Sequence, residues 1–167
     1  TPELTQTTRV IQAPSGCRLE GVCFDAAGNL WIVEKGKDDS SRLICIPVEE
    51  GQLVADDARR KFDIPFVEGQ GEAHSTSDPD GVIWVASETL ESGLESFDPR
   101  SERWSRSSEA EAFYSICRGS DGSIWAGGEG DLMRRSLDGE EHVYPGEMLP
   151  ISRASISLFE TRDGRLW

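Results

Sequence analysis

Six side chains able to bind ligands or move protons stand at matching distances from tryptophans. Glu20, His74 and Tyr114 lie ten or eleven residues before Trp31, Trp84 and Trp125, and Glu34, Glu88 and Glu129 lie three or four after them. Carboxylates accept hydrogen bonds from hydroxyl groups and ligate divalent cations, a phenol donates and accepts, and an imidazole titrates near neutrality. Brought together, these groups would bind a polyol, a sugar or a cation. His74 would serve as a general base only beside a substrate and an orienting partner, so no residue is assigned as catalytic. Other signatures fail in detail. Asp78-Pro79-Asp80-Gly81 opens like a calcium loop but lacks the later spaced ligands and closing Glu, and reads as a hairpin turn. Gly127-Gly128-Glu129-Gly130 has no Lys-Ser/Thr to make a phosphate loop, and no Gly-x-Ser-x-Gly elbow occurs. His142 falls in an outer strand.

The elements that must position these groups come from a repeat. Gly28-Asn29-Leu30-Trp31, Gly81-Val82-Ile83-Trp84, Gly122-Ser123-Ile124-Trp125 and Gly164-Arg165-Leu166-Trp167 place their tryptophans 53, 41 and 42 residues apart. A strand-like run precedes each Gly, at 19–24, 74–77, 113–117 and 155–159. A short apolar run follows it, at 30–33, 82–86 and 124–126. Gly supplies the positive φ of a tight hairpin, and a short wholly apolar run suits a strand buried on both faces. Third strands are expected at 42–48, 93–98 and 131–137, and fourth strands at 61–65, 102–106 and 141–144. Four strands every forty-odd residues make a β-propeller blade. The units run approximately over 18–66, 71–106, 112–145 and 154–167, the last truncated, and residues 1–12 offer a possible outer closing strand. The segment 48–60 reads as an acidic surface insertion. Three whole units and a partial fourth are expected to belong to a longer ring, closed by further blades or by self-association. The first strands would line the axis, so the six residues above would converge at its mouth.

Lys and Arg number 17 against 31 Asp and Glu, a net charge of −14. That balance argues against nucleic acid and anionic membranes, both of which need a basic patch. No apolar stretch is long enough to span a bilayer. Among the four cysteines, Cys23 and Cys117 share one repeat position, eight before the Trp, which suits small core fillers. Cys17 with Cys23, or Cys45 with either, could pair, and no Cys-x-x-Cys suggests zinc.

The run 115–127, with Asp121-Gly122 and Ile124-Trp125-Ala126-Gly127, resembles the regulator-propeller repeats of bacterial two-component sensors. So do 155–167 and the third-strand segment 93–99. The resemblance implies an extracytoplasmic or periplasmic sensing propeller that recognises a carbohydrate fragment or another small polar ligand, with no cofactor, or one that engages a protein partner. The first unit, Leu19-Glu20-Gly21-Val22-Cys23-Phe24 through Gly28-Asn29-Leu30-Trp31, is similar to gluconolactonase-type propellers. In those the matching Glu helps hold a divalent cation such as calcium, which would make Glu20 a metal ligand and the protein a metal-dependent lactonase or lyase. Val22 stands where that family has Pro, and Glu72-Ala73-His74 where an Asn-Gly pair would supply a second ligand. His74 is also similar to the His that opens a first strand in virginiamycin-lyase-like propellers. A protein-binding scaffold is the remaining reading.

Overall fold

The computed structural model describes residues 11–38, 40–54, 58–65, 71–88, 93–106, 112–128, 131–148 and 157–167. Most of the proposed closing strand at 1–12 and the start of the fourth unit lie outside them. Three antiparallel four-stranded sheets follow one another along the chain. The first contains β1 (Arg18–Phe24), β2 (Leu30–Lys35), β3 (Ser41–Ile46) and β6 (Arg60–Asp63). The second contains β7 (Ala73–Ser77), β8 (Ile83–Ser87), β9 (Leu94–Asp98) and β10 (Arg103–Arg106). The third contains β11 (Phe113–Arg118), β12 (Ile124–Gly128), β13 (Leu132–Arg135) and β14 (Glu141–Tyr144). The first strands lie side by side, β1 against β7 and β7 against β11, as inner strands do around a propeller axis. The insertion after β3 is not merely loop: β4 (Val48–Glu49) pairs with β5 (Gln52–Leu53) in a small hairpin, which packs Val48 and Leu53 onto Ile44 and Ile46. A 3-10 turn spans Gly146–Met148, and among the described residues no helix is long and apolar enough to cross a membrane.

Each blade begins at a hairpin locked by a carboxylate. Asp25 accepts hydrogen bonds from the Asn29 backbone N–H and side-chain amide, both at 2.9 Å, and from the Trp31 indole N–H at 2.8 Å. Asp78 repeats the pattern on the Val82 N–H (2.9 Å) and the Trp84 indole (3.0 Å). Burial pushes the Asp25 carboxyl up, but the hydrogen bonds from Trp31 and Asn29 outweigh it and hold the group below its ordinary value. Gly28 and Gly81 take φ of 86° at the turns, a region closed to most residues. The third hairpin has Gly119 at the Asp position. A Cβ there would stand 2.9 Å from the Glu160 carboxylate, which accepts from the Ser120 N–H at 3.2 Å, while Asp121 within the turn accepts from the Ser123 N–H at 2.9 Å. The described part of the fourth unit, 157–167, forms a hairpin as well, with reciprocal backbone hydrogen bonds between Phe159 and Trp167.

Each indole pinned in this way faces the next blade. Trp31, Val33, Leu43 and Cys45 pack on Ile83, Val85 and Phe97 of the second sheet. Trp84 and Leu94 pack on Phe113, Ile124 and Met133 of the third. Strands β2 and β8 are buried throughout because both of their faces meet protein. The first gap is closed by aromatic rings: Phe62 and Phe97 lie 4.6 Å apart, Phe97 and Trp104 4.9 Å, and Trp31 and Phe97 5.9 Å. Cys23, Thr76 and Cys117 sit directly across from the tryptophans in the register. All four cysteines are free thiols. Burial raises Cys23, Cys45 and Cys117 to about 11, so they stay protonated and unreactive.

One group breaks this apolar pattern. Glu95 in β9 is fully buried on the face that carries Phe97 and Val85, and neither carboxylate oxygen has a hydrogen-bond partner. Desolvation raises it from 4.5 to about 8, and the positive charge of Arg106, its cross-strand neighbour, offsets only part of that. The folded state therefore holds this proton more tightly than the unfolded chain. The stability tied to it is full below pH 4.5, declines as pH rises towards about 8, and is gone above. Glu95→Met is expected to raise stability by about 1–3 kcal/mol at pH 8 and by less at pH 5, read from urea unfolding at both pH values. Phe97→Ala is expected to cost about 3–5 kcal/mol in the same assay at either pH, because the ring it removes touches three others.

Candidate functional site

Of the six residues singled out by repeat phase, four divide between two tasks. Glu20 and Glu34 are occupied in holding the fold. The Glu20 carboxylate accepts a hydrogen bond from the backbone N–H of Ala73, at 2.9 Å, across the seam between blades, and pairs with Arg18 at 3.3 Å. Gly21, next to it, forms a bulge in β1 with φ 42°. A Cβ at Gly21 would lie 3.0 Å from the Ala73 carbonyl oxygen and 3.1 Å from the His74 backbone, so only glycine lets β1 approach β7 this closely. Glu20-Gly21 is thus a stitch between blades. Glu34 is 3% exposed and lies between Arg42 (3.6 Å) and Lys61 (3.7 Å), strand neighbours on the same face.

His74 and Glu88 do come together, with a third group beside them. Glu72, His74 and Glu88 each offer a ligand atom, and those atoms lie within 4.8 Å of one another. Two backbone features place them. His74 sits in β7, and Glu72, two residues earlier, projects to the same side of the chain because side-chain direction repeats every second residue. Glu88 follows the end of the antiparallel partner β8, where its N–H donates to the Glu72 carbonyl at 3.1 Å and its carboxylate accepts from the Glu72 N–H at 3.3 Å. The His74 Nε2 atom is buried without a hydrogen-bond partner. A buried imidazole nitrogen with no partner is costly unless something fills the space before it. One imidazole and two carboxylates fit a borderline divalent ion such as Zn2+ or Mn2+ better than Ca2+, whose shell is made of oxygens. Glu72 was visible in the sequence only as the neighbour of His74; the i, i+2 spacing in a strand is the signal that finds it.

Tyr114 is half-buried at a bulge between Phe113 and Ser115 in β11, the strand packed alongside β7. Glu129 lies outside the described residues. Of the six residues expected to converge, His74 and Glu88 are the two brought together, with Glu72 as a third member, and Tyr114 lies on the neighbouring inner strand.

No protein-family model matches the chain, and no curated protein matches it by sequence. Solved structures share its fold. Virginiamycin B lyase from Staphylococcus aureus superposes with a TM-score of 0.64 at 19% identity, over 89% of this chain and 47% of the lyase. The extracellular domain assigned to a hybrid two component system of B. thetaiotaomicron gives 0.59 at 18% identity, over 89% of this chain and 20% of that one. PorZ, a bacterial surface component of the type-IX secretion system of Porphyromonas gingivalis, gives 0.58 at 13% identity, over 87% and 23%. The chain is a β-propeller by fold, and it spans about half the length of the first of these and less of the others.

The division of labour can be tested directly. Glu20→Ala is expected to lower stability by about 1–3 kcal/mol, by leaving the buried Ala73 N–H unpaired, while divalent-ion affinity changes less than twofold. Unfolding curves and calorimetric Mn2+ titrations of the same variant check both halves.

Proposed function

We propose that this propeller is a ligand-binding module of the sensing type, acting outside the cytoplasm, which takes a small polar ligand such as a carbohydrate fragment at the mouth formed by Glu72, His74 and Glu88, with Tyr114 beside it. The carrying observation is the gathering of three ligand-capable side chains around a buried, unpartnered His74 Nε2. Such a triad offers two acceptors and one group able to donate or accept, the pattern that orients a hydroxyl-rich ligand. The likeness to a sensor ectodomain and to a surface component of bacteria supports an extracytoplasmic setting. The net charge of −14 supports a neutral or cationic partner over nucleic acid or an anionic bilayer.

A second reading rests on the same triad. With a divalent ion on Glu72, His74 and Glu88, the site would supply a Lewis acid that polarises a carbonyl or leaving oxygen, as a metal-dependent lyase or lactonase requires. On this reading Glu20 is not a ligand, because its carboxylate is already held by Ala73 and Arg18. A scaffold that binds protein partners uses neither arrangement.

Calorimetric titration of the full protein with Mn2+, Zn2+ and Ca2+, and thermal-shift screening against saccharide fragments with and without those ions, separates the three. The sensing reading expects a saccharide shift that His74→Ala lowers and no turnover. Turnover of a lactone or lyase substrate only with metal, lost in His74→Ala and Glu88→Gln, would replace it with the enzymatic reading. Both variants are expected to weaken ion binding at least tenfold. No response to any ion or saccharide would leave only the scaffold.

A further inference from the structure

The two gaps between blades are built on the same register but filled in opposite ways. In the first gap, the row of blade 1 that contains Trp31 continues through Cys45 to Arg60. It faces the row of blade 2 that runs from Ile83 through Phe97 to Trp104. Aromatic rings close that gap to its outer strands. In the second gap, the equivalent row of blade 2 runs from Trp84 through Ser96 to Ser105. The facing row of blade 3 runs from Ile124 through Arg135 to Glu141. Phe97 and Trp104 are thus replaced at register-equivalent positions by Arg135 and Glu141, and Cys45 and Arg60 by two serines.

The consequence is a cavity of about 410 Å3 between blades 2 and 3, within the size range of small-molecule sites. It lies apart from the axial triad, none of whose members lines it. Its floor is apolar, from Val82, Trp84 and Ile124, with Leu137, largely exposed, at its rim. Its walls carry serine hydroxyls together with charges of both signs, most of them already engaged by the protein. Asp78 holds the Trp84 indole, and Asp98 accepts from Ser101 at 2.8 Å. Arg135 donates to Glu141 at 2.6 Å and lies 5.2 Å over the Trp84 ring. Those hydrogen bonds occupy the groups without removing their charge, and three aspartates (Asp78, Asp80 and Asp98) against two arginines (Arg103 and Arg135) give the lining a small negative balance that disfavours an anion. What it offers is a mix of donors and acceptors above an apolar base.

We propose that this gap is a lateral binding site for a small, neutral, hydroxyl-rich molecule, of the size of a polyol or one or two sugar rings. Hydroxyl groups that both donate and accept match serine, carboxylate and guanidinium lining together, and the C–H face of a ring or chain would rest on Val82, Ile124 and Leu137. The proposal does not rest on the axial reading.

Saturation-transfer NMR and calorimetry on the full protein, with xylitol, glucose, galactose, mannose and the disaccharides cellobiose and maltose as probes, test it. At least one probe is expected to bind, and preference for the monomeric probes or the disaccharides tells a free polyol or sugar from the end of a longer glycan. Ser96→Phe and Ser105→Trp, which rebuild the aromatic filling of the first gap, are expected to raise the melting temperature without ligand and to weaken probe binding at least tenfold. Ser105→Val gives the same reading with less bulk should the larger variants misfold. His74→Ala is expected to leave this binding within twofold. Binding of no probe, or binding that His74→Ala removes and the serine variants do not, would overturn the proposal.

Discussion

The contact on which the rest of the architecture depends is a carboxylate holding an indole. Asp25 and Asp78 each close a hairpin and, six residues on, fix the N–H of the tryptophan that leaves it. The bond removes the cost of burying an indole N–H and sets the direction of the ring, so that the large apolar body faces the next blade. Blade spacing, the buried second strands and the contact between first strands all follow from that orientation. Where the Asp is missing, at Gly119, the carboxylate comes from Glu160 in the following hairpin. That turn is held from both sides, by Glu160 on the Ser120 N–H and by its own Asp121 on the Ser123 N–H at 2.9 Å.

The seam between blades 1 and 2 shows how tightly function and architecture share one surface. Glu20-Gly21 and Ala73-His74 are opposed across it, the first pair binding the backbone of the second. The seam thereby fixes the strand that carries His74, while Glu88 is set by the hairpin partner of that strand. A ligand-capable triad is held rigidly because the elements beneath it are committed to the core. Rigid placement of the first contact groups is what a recognition site needs.

Glu95 and the second gap represent two departures from an otherwise uniform interior. A buried carboxyl kept protonated by desolvation lies within the best-packed gap, and a row of serines and an arginine lies where the next gap would otherwise be filled. Both trade packing for polar chemistry, and both involve β9 through Glu95 and Ser96, for its odd residues face blade 1 and its even residues face blade 3. Alternation along one strand is enough to give two adjacent gaps different characters.

The sequence by itself determined the repeat, the four-stranded unit and the axial phase of the candidate residues. Those depend on local rules: positive φ at the hairpin glycines, two-face burial of short apolar runs, and a constant interval between tryptophans. It also brought His74 and Glu88 to notice. Only the tertiary structure decided which acidic residues remain available, because that depends on what the next blade presents. Glu20 meets a backbone N–H fifty-three residues away, Glu34 meets two cations on neighbouring strands, and Glu72 meets Glu88 across the hairpin. Residue type and phase are properties of one strand, whereas desolvation and partnership are properties of the space between strands.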